Sequence, residues 1–216
     1  EGRTILIDSG MGAIKHIGGE LQGNLLALGV TRESIDTVLL THGHPDHIGG
    51  LLDSAGQPAY VNAQLYLHPA EASFWLDDQQ LKTTNERMQR NALLVRRTLD
   101  AYRASLHLIE QADINANIRA ISLPGHTPGH TGYLIHSGDE RLLIWGDIVH
   151  YPHIQLARPE VSISFDHDPV LAETTRKAIV EQVVRDHTQV AGMHFGKSAA
   201  FGHIECDSTT GYLLRS

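Results

Sequence analysis

The segment Thr41-His42-Gly43-His44-Pro45-Asp46-His47 sets three imidazoles and a carboxylate into six residues, directly after the apolar run Val38-Leu39-Leu40. The run reads as a buried strand. A strand end fixes the backbone that follows it, so residues 42 and 44 of an extended loop project to the same side. Imidazole nitrogen and carboxylate oxygen are the ligands that hold zinc and similar divalent ions. Asp46 and His47 are neighbours whose side chains diverge, so they can serve a second ion. A chain with 15 His in 216 residues could also carry a solvated His-rich loop by chance, and three further segments weigh against that.

Each of the three follows a run that reads as a strand. Leu123-Pro124-Gly125-His126-Thr127-Pro128-Gly129-His130 follows Ile118 to Leu123, Trp145-Gly146-Asp147 follows Arg141 to Ile144, and Met193-His194 follows Gln189-Val190-Ala191. Five His and two Asp are thereby offered from four strand ends. Spacing alone does not say which ion each would serve. His126 and His130 cannot both be ligands from one tight turn, and His130 reads as a hydrogen-bonding partner. Asp147 on its own could be ordinary Gly-Asp turn chemistry. His68, after Gln64 to Leu67, and His150, three residues after Asp147, stand at the rim of the same set. His16, His107, His136, His153, His167 and His187 have no partner in sequence and read as exposed or locally satisfied.

The ordered series H-x-H-x-D-H, P-G-H-T, G-D and a late His resembles the metallo-β-lactamase-fold hydrolase superfamily over almost the whole chain. The resemblance implies an α/β fold, a four-layer αββα sandwich, as a single domain over residues 1–216. It also implies two divalent ions, zinc foremost: His42, His44 and His126 on one, Asp46, His47 and His194 on the other, with Asp147 bridging. A bridging hydroxide would then attack a lactone, ester or phosphotriester, with Asp46 orienting it or passing a proton to the leaving group. Glu1-Gly2-Arg3 leads at once into a strand, leaving no room for the strands that usually precede this motif, so N-terminal strands are expected to be missing. The segment Ala70 to Leu76, Gly132-Tyr133, Trp145-Gly146-Asp147 and Phe201 to Ile204 look closest to the subgroup of methyl parathion hydrolase and related lactonases. In that comparison Trp75 would line a hydrophobic leaving-group pocket, and His68 and His150 are placed on the substrate side by their positions; a Trp packed between helix and sheet is the even alternative. Competing readings are a persulfide dioxygenase-like oxidoreductase with one iron, a glyoxalase II-type thioesterase, and a metal-binding protein without catalysis.

Composition narrows the partners. The net charge is −8, and the 17 Lys and Arg are scattered rather than clustered, which disfavours a nucleic-acid ligand and leaves a small-molecule substrate, with room for a homodimer. No stretch of about 18 apolar residues is present to span a membrane. The single Cys206 is compatible with either side of a bacterial inner membrane.

Strands and helices alternate. Strands are expected at Thr4–Asp8 and Asp36–Leu40. One helix should carry Leu21, Leu25 and Leu28 on one face and end at Gly29; a short one should begin at Gly49-Gly50, whose small size lets it approach the metal loop. Pro69 opens another. A long helix is expected from about Asn85 to Leu106, with Met88, Leu94, Val95, Leu99 and Tyr102 inward. Tyr133–His136 and Leu142–Trp145 read as a hairpin. Asp168-Pro169 caps a helix with Val170, Leu171, Ala178, Ile179 and Val183 inward.

Overall fold

The computed structural model describes residues 2–12, 18–195, 201–207 and 211–215; His16 lies outside them. The chain divides into two compact units, Glu1–Ile109 and Glu110–Ser216.

In the first unit, β1 (Ile5–Ile7), β2 (Thr37–Leu39), β3 (Gln64–Leu67) and β4 (Leu106–Leu108) form a sheet in the order β1-β2-β3-β4. Every pair is parallel. Strands of a parallel sheet are covered on both faces and so read as continuous apolar runs; Val38, Leu39 and Leu40 are fully buried. The helices are α1 (Leu21–Ala27), α2 (Pro45–Ile48), α3 (Pro69–Leu76), α4 (Asp78–Lys82) and α5 (Glu86–Ala101). Asn85 caps α5 through Met88 N at 3.0 Å, and Ala92, Val95 and Leu99 are buried along it. It ends five residues short of the expected Leu106, because Leu106 is taken into the sheet opposite Leu65.

Two local expectations change. Leu28 is exposed, since α1 stops at Ala27 and the following backbone leaves helical geometry, so the 3.6-residue period no longer carries Leu28 to the Leu21 face. The short helix precedes Gly49 rather than starting there: Pro45 occupies its first turn, where a fixed φ and a missing N–H suit helix initiation. The two glycines do serve close approach. Gly50 N donates to Gly10 O at 3.1 Å, and a side chain on Gly49 or Gly50 would strike the carbonyl oxygens of Met11 or Ser9.

The second unit holds a seven-stranded sheet among its described residues, in the order β11-β10-β9-β8-β7-β6-β5. Its strands are β5 (Asp113–Asn115), β6 (Ile118–Ser122), β7 (Thr131–Ser137), β8 (Glu140–Ile144), β9 (Gln189–Ala191), β10 (Phe201–Asp207) and β11 (Gly211–Arg215). The β7–β8 hairpin forms as expected, with Ser137 opposite Glu140. Only β8 and β9 pair in parallel among these strands. Parallel neighbours need a long crossover, and this one carries α6 (Pro152–Gln155) and α7 (Pro169–Arg185). Asp168 caps α7 as expected, accepting from Val170 N and Leu171 N at 3.1 and 3.0 Å. The inward face differs: Ala172, Arg176, Ile179, Val180 and Val183 are buried, while Val170, Leu171 and Ala178 are exposed. An arginine in the middle of the stripe breaks the apolar pattern from which the face was read.

Candidate metal centre

The end of β2 delivers the first group of candidate ligands. Asp8, directly after β1 and buried, binds this segment from the side. Its Oδ1 accepts from Thr41 N at 2.8 Å, and its Oδ2 accepts from the Thr41 hydroxyl at 2.8 Å and meets His47 Nδ1 at 2.7 Å. Thr41 Oγ1 also lies 3.0 Å from His42 Nδ1, and His42 Nε2 lies 3.0 Å from His44 Nδ1. Asp8 adopts φ of 56°, a left-handed conformation that Asp tolerates better than most residues. Beneath this segment Glu71, fully buried, accepts from Gly43 N at 2.9 Å and from the Trp75 indole N–H at 2.6 Å. The Trp75 ring meets His44 edge to face at 5.9 Å. Trp75 is fully buried in the core of this unit. His68 caps α3, its Nδ1 accepting from Ala70 N at 3.0 Å. Asp46, in the first turn of α2, is partly exposed, with Oδ2 3.6 Å from His47 Nε2.

In the second unit the ligand candidates come from the turn after β6, the loop after β8 and the end of β9. Asp147 Oδ2 is the meeting point: His194 Nε2 lies at 3.1 Å, His150 Nε2 at 3.2 Å and His126 Nε2 at 3.6 Å. The His150 and His194 rings stack with centroids 4.1 Å apart. His126 Nδ1 lies 2.9 Å from Asp166 Oδ1. His130 holds the loop rather than the ion: its Nδ1 faces Leu123 O at 3.0 Å and its Nε2 accepts from Asp147 N at 2.9 Å. Gln155, also buried, accepts from the amides of His150 and Tyr151 at 2.7 and 3.0 Å. Thr127, beside His126 in sequence, has a buried hydroxyl with no hydrogen-bond partner among the described residues.

Hydrogen positions follow from partners that can only accept. Carboxylate and carbonyl oxygens carry no hydrogen, so the facing Nδ1 atoms of His47, His126, His130 and His150 must carry theirs. In a neutral ring Nε2 is then a bare lone pair. That is what His130 uses to accept from Asp147 N. For His126 and His150 the same lone pair faces a carboxylate oxygen, and for His47 it faces Asp46. Acceptor against acceptor is the arrangement that a divalent cation satisfies, so the donor set fits a metal. Burial, opposed by the neighbouring Asp147 charge, pushes the His150 imidazole down to about 4, which keeps it neutral and able to accept. Burial raises the Asp166 carboxyl, but the hydrogen bonds from His126 and the Ile163 amide and the charge of Arg176 outweigh it and hold the group below the usual carboxylate range.

Asp8, Glu71, Asp166 and Arg176 were not anticipated from sequence. Asp8 had a readable signal, an acidic residue at the end of a strand like the ligands themselves. Asp166 and Arg176 had none, because nothing in local sequence relates them to His126.

The family model described as the Metallo-beta-lactamase superfamily matches residues 1–194. A hydroxyacylglutathione hydrolase of Haemophilus influenzae, GloC, is 27% identical over 141 residues, 63% of this chain, and the chain spans 60% of that relative's length. Among solved structures, a hydrolase of the beta-lactamase superfamily, AbOPH, is 32% identical with a TM-score of 0.87, covering 97% of this chain and 74% of its own. AidC, a dizinc quorum-quenching lactonase in complex with a homoserine product, is 27% identical with a TM-score of 0.89, covering 98% of this chain and 74% of its own. The family model covers most of the chain, and the two sheets with helices agree with these neighbours: the chain belongs to the metallo-beta-lactamase superfamily.

Proposed function

We propose that this chain is a two-metal hydrolase that opens a lactone, ester or phosphotriester. The observation that carries the reading is the set of imidazole nitrogens around Asp147 Oδ2 at 3.1 to 3.6 Å, with the lone pairs of His126 and His150 turned toward that carboxylate. The proposed ligands are His42, His44, Asp46, His47, His126, Asp147 and His194, seven in all and too many for one tetrahedral ion. Residues 1–216 are proposed as a single metallo-β-lactamase-like domain. Divalent metal held by these residues would supply water acidified enough to attack at neutral pH and would polarise the oxygen of the bond under attack. Asp147 would contribute its carboxylate to holding the metal. Asp46, partly open to solvent, exchanges a proton with water and the leaving group. Asp8 and Asp166 keep the Nε2 lone pairs of His47 and His126 available. His150 and His68 are assigned to the substrate side, and Trp75 backs the His44 ring from the core.

Likeness to AidC, a dizinc lactonase, supports zinc and a lactone; likeness to the Haemophilus hydroxyacylglutathione hydrolase brings thioesters into the same test. Metal analysis of purified protein, followed by kcat/KM for lactones, aryl esters, phosphotriesters and thioesters, tests the proposal. About two zinc, manganese or cobalt ions per chain and turnover of a lactone or ester are expected. One iron per chain, with no hydrolysis of any of the four classes, would overturn it.

A further inference from the structure

Helix α7 buries an arginine where its neighbours on the same face are aliphatic. Arg176 is fully buried between Ala172 and Ile179, and a buried unpaired charge costs several kcal/mol. Its guanidinium is therefore spread over three segments of the second unit. Nε donates to Ile148 O at 2.7 Å, Nη1 donates to Pro159 O at 2.5 Å and reaches Val161 O at 3.4 Å, and Nη2 pairs with Asp166 Oδ2 at 3.5 Å. Ile148 is the residue after Asp147. The other oxygen of Asp166 is the partner of His126 Nδ1. One planar fork thus grips the loop of the bridging carboxylate directly and a ligand imidazole through a single carboxylate, a geometry that Lys cannot reproduce.

The turn that carries His126 is anchored independently of this pair. His167 N donates to His126 O at 3.0 Å, Asp168 N to Gly125 O at 2.9 Å, and the Thr175 hydroxyl to Pro124 O at 2.7 Å. Gly125, at φ of 130°, lies so close to α7 that an added Cβ would strike the backbone of Ala172. These bonds hold the turn against α7 whatever the Asp166 side chain does. What Asp166 adds is chemical: it dictates which imidazole nitrogen bears the hydrogen.

We infer that Arg176 and Asp166 are a positioning pair that sets the His126 tautomer and ties its orientation to the Asp147 loop, thereby tuning affinity for the ion that His126 would hold. The inference rests on the two-metal reading above. Asp166→Asn keeps shape, but its amide can turn to donate, so the Nδ1–H form of His126 is no longer enforced.

The test uses the full chain with and without zinc. In metal-free protein, nitrogen-15 NMR of the imidazoles should find His126 as the Nδ1–H tautomer in the parent and as a mixture in Asp166→Asn. Competition with a chromophoric chelator should show one of two zinc ions bound about 10–100-fold more weakly in Asp166→Asn and in Arg176→Met, the range for lost partners behind a ligand, with the other ion unchanged. Should Arg176→Met fail to fold, Asp166→Asn decides alone. An unchanged tautomer with unchanged zinc affinity in folded Asp166→Asn overturns the inference and leaves the two-metal reading standing. A parent chain that binds no zinc removes that reading, and with it the affinity role of the pair, even where the tautomer shifts as expected.

Discussion

The two units hold their candidate ligands by different means. In the first, His42, His44 and His47 stand within six residues at the end of one parallel strand, and one carboxylate from the adjacent strand, Asp8, grips Thr41 and His47 together. In the second, His126, Asp147 and His194 come from three places in the sheet and are set in order by long-range partners: His130 on Asp147, Asp166 on His126, Arg176 on Ile148. A short motif solves the placement problem locally. A dispersed set needs buried polar side chains to solve it again for each ligand, and such groups are costly unless all of them are satisfied.

The largest effect is expected where the dispersed set converges. Asp147→Asn keeps the shape and removes the charge on which three imidazoles focus. At least one ion should bind more weakly, and turnover should fall by at least about 100-fold, the upper range for losing a mere partner of a ligand, on every substrate alike because the same activated water serves each. Parallel kcat/KM measurements over the substrate panel check this. Retention of full activity on any one class would remove Asp147 from the bridging position.

Trp75→Ala probes the packing under the local motif. The indole is fully buried, donates to Glu71 and backs His44, so its removal should cost about 3–5 kcal/mol of stability and lower activity evenly across substrates. Thermal melting beside the panel decides the matter. An unchanged melting temperature with KM raised selectively for bulky aromatic esters would instead make Trp75 a wall of the substrate pocket.

This contrast also explains what could be read before the structure. The strand ends that carry the His42 to His47 motif and the ends of β6, β8 and β9 were legible because each motif is contiguous with its strand, and so was the cap at Asp168. Gly49-Gly50 was correctly read for closeness and misplaced as a helix start, because Pro45 one turn earlier is the stronger initiation signal. The inward face of α7 was misread because Arg176 is charged yet buried, and only partners 10 to 28 residues away in sequence, Asp166 and Ile148, make that tolerable. Local periodicity contains no term for such partners.

Chelation compares the units as wholes. Ions bound to the folded chain and not to the unfolded one stabilise it by about 2.7 kcal/mol when free metal stands at 100 times the dissociation constant. For a chain of this size that corresponds to roughly 5–10 °C in Tm. A chelator should lower Tm by that order in differential scanning calorimetry, and zinc should restore it. A melting curve unmoved after verified removal of metal would show that the ligands are held by their protein partners alone.

The smallest effect, and the sharpest test of the local unit, is Asp8→Asn. Asn tolerates the left-handed φ of 56° as Asp does, and its oxygen can still accept from Thr41 N, so stability without metal should change by less than about 1 kcal/mol. At the place of Oδ2, however, an amide now faces His47 Nδ1 as donor against donor. The imidazole is driven to carry its hydrogen on Nε2, the nitrogen proposed to bind the ion. Metal affinity should therefore fall about 10–100-fold while the metal-free melting temperature barely moves, a separation that chelator competition and calorimetry on one sample can measure. Asp8→Ala should behave differently, because it also leaves the buried Thr41 N–H unsatisfied at about 1–3 kcal/mol. If Asp8→Asn binds zinc as tightly as the parent chain, then His47 is oriented by its own strand end, and the first unit needs no carboxylate clamp of the kind the second unit uses.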